Sequence, residues 1–211
     1  MYSLIRLENG FWLPKDDRRI NPVDYYQQDK IDICLGLCDK SGLAIDIGAH
    51  IGLWSKQLSA HFDKVVAFEP IKAHRDCFIL NAPDAELLPY ALGRESGRVN
   101  MNWRPTKSEV TSVATSNKPV KGVFHSSVME TLDSFGLAPS FIKIDCEGYE
   151  PYVILGGIET IKRYKPDIFV EQKSGGANRY GLKEREALVL LEKMGYRLIA
   201  EIRGDFFMRA E

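Results

Sequence analysis

The sequence predicts an α/β fold: a doubly wound, mostly parallel seven-stranded sheet closed by an antiparallel C-terminal hairpin. Three observations carry that reading. Short β-rich apolar runs alternate with helical patterns from residue 43 onward, as in a parallel sheet covered on both faces. The run AIDIGAHIGLWS (44–55) breaks from an apolar strand into glycines and reopens as a helix. Only Arg203 and Gly204 separate the last two apolar runs, which is too short for a crossover and suits a hairpin.

Taken in order, the expected strands are LAIDIG (43–48), KVVAFE (64–69), AELLPY (85–90), FIKID (141–145), DIFVEQ (167–172), YRLIAEI (196–202) and DFFMR (205–209). Expected helices fall at 52–61, 71–81, 151–163 and 183–194. Residues 1–40, with Pro14 and Pro22 before YYQQDKIDICLGLC, read as a lid or cap ending in a helix at 30–39. Residues 41–211 form the main domain. The stretch 94–135 is irregular, with GRVNMNWR as an inserted strand and PTKSEVTSVATSNKP as a polar loop.

At 211 residues and 45% hydrophobic, the chain supports one well-buried core. Its 28 basic and 29 acidic residues nearly cancel, so no overall field favours nucleic acid or an anionic membrane. The N-terminus has Arg6 and Glu8 and no apolar h-region, so no signal peptide is expected. The longest apolar stretches, such as VILGGI (153–158), fall far short of a membrane span. Four cysteines (Cys34, Cys38, Cys77, Cys146) make no disulfide framework and no zinc site. Free thiols and a cytoplasmic location are the expectation.

The glycine turn raises the question of its ligand. A dinucleotide fingerprint requires G-x-G-x-x-G, but counting from Gly48 those positions hold Gly48, His50 and Leu53. Asp46 would also set a carboxylate near the phosphates, at a cost of several kcal/mol. No G-K-[ST] follows, so a Walker A loop is excluded. The D-x-G-x-x-x-G form (Asp46, Gly48, Gly52) suits S-adenosylmethionine, which has no phosphate and carries two cationic groups. Glu69, ending the second strand about twenty residues on, suits ribose hydroxyls, a device that NAD sites share. Strand-end capping is the bland alternative for both acids.

A second stretch, FIKIDCEGYEPYVILGG (141–157), puts Phe141, Lys143 and Asp145 on one strand face and Ile142 and Ile144 on the other. Asp145 emerges at the carboxyl end, where open α/β sheets bind ligands. Together with AIDIGAHIG, FEP, ALG (91–93), ETLDSF (130–135) and the strand DIFVEQ, this resembles the FkbM-type methyltransferases. The resemblance covers about residues 43–172. It implies the Rossmann-like fold of S-adenosylmethionine-dependent methyltransferases and O-methylation, often of sugars or secondary metabolites. It also implies cofactor contacts from Asp46, Gly48, Ala49, His50, Gly52, Glu69, Pro70, Ala91 and Asp145. His50 stands where the family often has Asn.

Methyl transfer is an in-line displacement that rests on alignment, and a hydroxyl acceptor needs a base. Asp145 and Glu171, at the ends of adjacent strands, are the expected catalytic carboxylates, with Glu147 and Glu150 as second choices. Lys143 is placed to orient an acidic acceptor. The EQK after the fifth strand lacks the Asp–Asn pair of catechol-type enzymes, so no metal is expected. The expected acceptor is a small-molecule or saccharide hydroxyl, recognised by residues 1–40, 94–135 and 173–182. Within those, the 25–30 segment closing over the cofactor and KSGGANRYG (173–181) forming a lid stand even with plain packing and a solvated loop. Trp54 reads as packing and Cys146 as a buried thiol. A non-catalytic cofactor-binding module and an NAD(P)-binding oxidoreductase are the competing readings.

Overall fold

The computed structural model describes residues 3–16, 27–39, 41–103, 112–114, 123–172 and 175–211. β1 (Leu4–Arg6) and β2 (Trp12–Pro14) pair as a small antiparallel hairpin ahead of α1 (Gln28–Leu37). The chain then alternates β3 (Leu43–Ile47), α2 (Leu53–Ser59), β4 (Lys64–Phe68), α3 (Lys72–Asn81) and β5 (Glu86–Leu88). An insertion follows, comprising β6 (Tyr90–Leu92), β7 (Gly97–Trp103), β8 (Ser112–Val113) and β9 (Val123–Glu130). The main pattern resumes with β10 (Pro139–Ile144), α4 (Glu150–Leu155), α5 (Ile158–Tyr164) and β11 (Asp167–Glu171). It ends with α6 (Glu186–Lys193), β12 (Tyr196–Ile202) and β13 (Asp205–Ala210).

The central sheet runs β12-β13-β11-β10-β3-β4-β5, and only β13 is antiparallel to its neighbours. This is the seven-stranded, doubly wound sheet that the sequence predicts. Side-chain alternation along each strand explains why both faces are apolar. Ile45, Ile47, Val66, Phe68, Ile142, Ile144, Ile168 and Val170 pack with Val153, Ile161 and Leu188 of α4, α5 and α6. Ala44, Val65, Phe141, Phe169 and Phe207 pack with Ile31 and Cys34 of α1 and with Trp54 and Leu58 of α2. The sheet order turns back between β3 and β10, and a ligand crevice opens at the carboxyl ends of such strands.

Three expectations change in detail. The strand at 85–90 divides at Pro89, because proline cannot donate to the ladder: β5 stays in the main sheet and β6 pairs with β9. The helix expected over 151–163 divides at Gly156 and Gly157. A Cβ at Gly156 would lie 1.9 Å from the Gly93 carbonyl oxygen, and the Asp133 carboxylate accepts from the Glu159 and Thr160 amides to start α5. The irregular stretch 94–135 supplies β7, β8 and β9, which with β6 make a four-stranded sheet ordered β6-β9-β7-β8. Most of the polar loop at 105–119 lies outside the described residues, as do residues 17–26 and 40 of the expected cap and Lys173 and Ser174 of the expected lid.

All four cysteines are thiols. Among the described residues, no helix is long and apolar enough to cross a membrane.

Candidate functional site

A cleft of about 1100 Å³, counted out to open solvent, lies over the carboxyl ends of β3, β4 and β10. Its floor is the glycine turn. Gly48 has φ +75°, and a Cβ there would sit 1.9 Å from the Asp145 carbonyl oxygen, so only glycine fits between β3 and β10. The turn uses its own donors: the Gly48 and Ala49 amides bond to the Phe68 carbonyl at 3.0 and 3.1 Å. The His50 amide donates to Glu69 Oε2 at 3.0 Å. In a phosphate-binding turn such amides would face the ligand; here three successive ones are spent inside the protein.

Glu69 is 4% exposed and ties several elements together. Besides His50, it accepts from the Ile71 amide at 2.8 Å, and its Oε1 lies 3.2 Å from His74 Nδ1. Arg75 donates to the Glu69 and Pro70 carbonyls, fixing the chain as it leaves β4. His50 takes φ +51°, a left-handed conformation in which Asn, Asp and His are enriched. Burial, with His74 and Lys143 adding to it, holds His50 well below the ordinary histidine range. It is therefore a neutral ring at physiological pH.

On the other side, Lys143 is buried and its ammonium is 3.0 Å from the Gly48 carbonyl, 3.1 Å from Asp46 Oδ1 and 3.8 Å from Asp145 Oδ2. Burial alone would lower its pKa, but Asp46 and Asp145 outweigh that and hold it above the usual lysine range. Ser55 Oγ donates to the other Asp46 oxygen at 2.7 Å. Carboxylate oxygens of Asp145, Glu147 and Glu171 all lie within 4.8 Å of one another. That spacing could let them share a cation, and the Lys143 ammonium already sits beside Asp145. Glu150 organises this turn, accepting from the Cys146 and Gly148 amides at 2.9 Å each.

The cleft walls come from elsewhere. Tyr90, Ala91 and Leu92 of β6, Met101 of β7 and Val113 of β8 face it, with Tyr149 beside them. Gln27 also lines it, held by the Trp54 indole donating to Gln27 Oε1 at 2.5 Å. Tyr180 donates to the Val113 carbonyl at 3.1 Å and its ring meets Tyr149 at 5.0 Å. Segment 175–181 is thus tied to the insertion. A second, more polar cleft is lined by Glu171, Gln172, Lys30, Arg185, Arg203 and Asp205, among others. Its Lys30–Asp205 ion pair spans 2.5 Å.

Of the residues the sequence singles out, Gly48, Ala49, His50, Glu69, Pro70, Ala91 and Asp145 line the first cleft, as does Glu147. Glu171 lines the second cleft while keeping its carboxylate close to Asp145. Asp46 lies behind the wall, engaged by Ser55 and Lys143. Gly52 caps α2 with φ +89°, and a Cβ there would press on Phe78 and Ala82 at 3.0 and 3.1 Å. Trp54 packs on Phe169. Lys143 also lines the cleft, its ammonium held by the Gly48 carbonyl, Asp46 and Asp145. Sequence reasoning takes His74 for a solvated histidine, whereas it is buried and lines the cleft, and it misses Met101, Val113 and Tyr149. A lone histidine on a helix carries no pattern, and the Met101 and Val113 strands are an insertion with weak alternation.

A family model described as the methyltransferase FkbM domain matches residues 46–198. Among solved structures, the FkbM methyltransferase of Methylobacillus flagellatus superposes with TM-score 0.53 at 19% identity. That match covers 82% of this chain and 44% of the other, so the chain spans less than half that protein's length. The N-methyltransferase NodS of Bradyrhizobium japonicum, in complex with S-adenosyl-L-homocysteine, gives TM-score 0.52 at 8% identity, covering 92% and 90% of the two chains. A candidate tRNA (m1A22) methyltransferase of Streptococcus pneumoniae gives 0.50 at 9%, covering 86% and 69%. These likenesses concern the fold. No curated protein matches the sequence.

Proposed function

We propose, from the premise that the chain belongs to the FkbM methyltransferase family, that it binds S-adenosylmethionine and methylates a hydroxyl on a sugar or small metabolite. One observation carries the donor assignment: the glycine turn keeps its amides for Phe68 and Glu69, while carboxylates and apolar side chains line the rest of the cleft. That lining fits a cationic, phosphate-free nucleoside and repels a pyrophosphate. When bound, S-adenosylmethionine supplies an electrophilic methyl group on its sulfonium. Glu69 would accept ribose hydroxyls, Asp145 and Glu147 would face the cationic end, and Ala49, His50, Pro70 and Ala91 would form the adjoining wall. Asp46 and Gly52 support these from behind, Asp46 by pinning Lys143 and Gly52 by seating α2 on α3.

Glu171 is the base in this reading. It is 5% exposed and lies where the polar cleft meets Asp145 and Glu147, so it can take a proton from an acceptor hydroxyl entering there. Lys143 offsets the negative charge of the carboxylates, and the reaction proceeds without a metal. Chelator-treated protein should turn over like untreated protein; a loss restored by Mg²⁺ would assign the three carboxylates to an ion.

The test is a screen of sugars and hydroxylated metabolites with labelled methyl donor, followed by Glu171→Gln. That variant keeps shape and hydrogen bonding but removes the base. Turnover should fall by about 10²–10⁴-fold with S-adenosylhomocysteine affinity unchanged. Parent-like turnover would make Glu171 structural. NAD bound more tightly than S-adenosylhomocysteine would overturn the donor assignment.

A further inference from the structure

Glu171 of β11 and Asp205 of β13 stand opposite each other in an antiparallel register. That sets their Cβ atoms about 5 Å apart on one face of the sheet. Phe169 and Phe207, two residues along each strand, mark it as the face that α1 covers. Lys30 of α1 reaches across to it and donates from its ammonium to Asp205 Oδ2 at 2.5 Å. All three residues line the polar cleft, whose space is about 950 Å³ counted out to open solvent. The Glu171 carboxylate also lies within 4.8 Å of those of Asp145 and Glu147, which line the first cleft. The two clefts therefore meet at Glu171.

A hydroxyl methylated at that meeting point has a charge problem. As Glu171 takes its proton, negative charge grows on the acceptor oxygen, and Asp145, Glu147 and Asp205 all oppose it. A cation placed at that oxygen would answer them. Lys143 belongs to the first cleft, held by Gly48, Asp46 and Asp145. Arg185 and Arg203 sit at the rim of the polar cleft, their side chains 62% and 67% exposed. The Lys30 side chain is 14% exposed, and Asp205 takes one of its three donors, leaving two for a ligand. We infer that the polar cleft is the acceptor subsite and that Lys30 is a catalytic residue in it, held by Asp205 against the acceptor oxygen. This rests on the hydroxyl-methylation reading above. Glu171 receives the proton, the oxygen's electron pair closes the bond to the methyl carbon, and the carbon–sulfur bond breaks with its pair left on sulfur. Lys30 stabilises the oxygen through that step and stays protonated. Lys30 and Asp205 lie outside residues 46–198, which the family model matches, so this role belongs to α1 and β13 of this chain.

The experiment is steady-state kinetics with labelled S-adenosylmethionine and a panel of methyl glycosides, polyols and phenols, alongside calorimetry with S-adenosylhomocysteine. Lys30→Met alone strands the Asp205 carboxylate in a buried place and can unfold the chain. Lys30→Met combined with Asp205→Leu removes both charges together and spares the fold that penalty. In this double variant kcat should fall by about 10²–10³-fold, as for the loss of one oxyanion donor, with S-adenosylhomocysteine affinity unchanged. Lys30→Arg, which keeps a cation on Asp205, should recover part of that loss. A double variant that turns over like the parent overturns the inference and leaves the methylation reading standing, the ion pair then being a tether for α1. A fall in turnover matched by an equal fall in S-adenosylhomocysteine affinity also overturns it. A parent that binds S-adenosylhomocysteine but methylates no member of the panel overturns the hydroxyl reading itself, and this inference with it.

Discussion

Glu150 illustrates how one buried carboxyl makes the site depend on pH. Burial pushes it up to about 7, against the bonds it accepts from the Gly148 and Cys146 amides. Because its folded pKa is raised, the folded state holds more protons than the unfolded state between about 4.5 and about 7. Its contribution to stability is therefore largest in acid, declines as pH rises through that window, and levels off above it. Glu150→Gln keeps an acceptor for both amides but cannot ionise. Denaturant titrations at pH 5 and pH 8 should show the variant gaining on the parent at pH 8, by up to about 3 kcal/mol. An equal difference at both pH values would remove Glu150 from the pH response. At this scale the sequence was most informative where side chains share a motif. Asp145, Glu147 and Glu150 fall within six residues, and the structure brings Asp145 and Glu147 to one turn that Glu150 braces. It was least informative about direction: nothing in AIDIGAH says that Asp46 turns to Ser55 and Lys143 while Glu69 reaches back to His50.

Among the elements, the junction between β3 and β10 bears most of the constraint. Gly48→Ala would drive a methyl to 1.9 Å from the Asp145 carbonyl oxygen and hold an L-residue at φ +75°. Either the strands part or the turn refolds, so the variant should lose several kcal/mol and its ligand affinity together. Gly97→Ala, on β7 with nothing within 4 Å of the added carbon, is the control. It should change stability by less than about 1 kcal/mol. Thermal melts of the two variants check both; a Gly48→Ala melt matching the control would mean the turn is not tight. Strand positions were legible because each strand is a short apolar run bounded by turn residues. Divisions within elements were harder to see. The 151–163 helix keeps its period across Gly156, and what breaks it is the distant Gly93 backbone, along with Asp133 capping α5.

For the whole molecule, ligand binding and folding are linked, because the cleft is assembled from β3, β4, β10 and the insertion. S-adenosylhomocysteine at a hundred times its Kd should add about 2.7 kcal/mol and raise Tm by about 5–10 °C, whereas NAD should leave Tm where it is. The doubly wound sheet was readable because alternation of apolar runs is a property of the entire chain. Of the insertion only β7 was readable, as the run GRVNMNWR, since β6 to β9 form a sheet of their own from residues that reach no central strand ladder. That separateness bears on how such a chain can change over generations. The inserted sheet has its own hydrogen-bond ladder, and its Met101, Trp103 and Met129 share a small apolar cluster with Ile71, Ala73 and Ala91. Yet Met101 and Val113 face the same cleft as Glu69 and Asp145. Drift in the insertion can therefore reshape the cavity wall while the strands that hold the carboxylates keep their register, so ligand preference and foldability are inherited on different stretches of one chain.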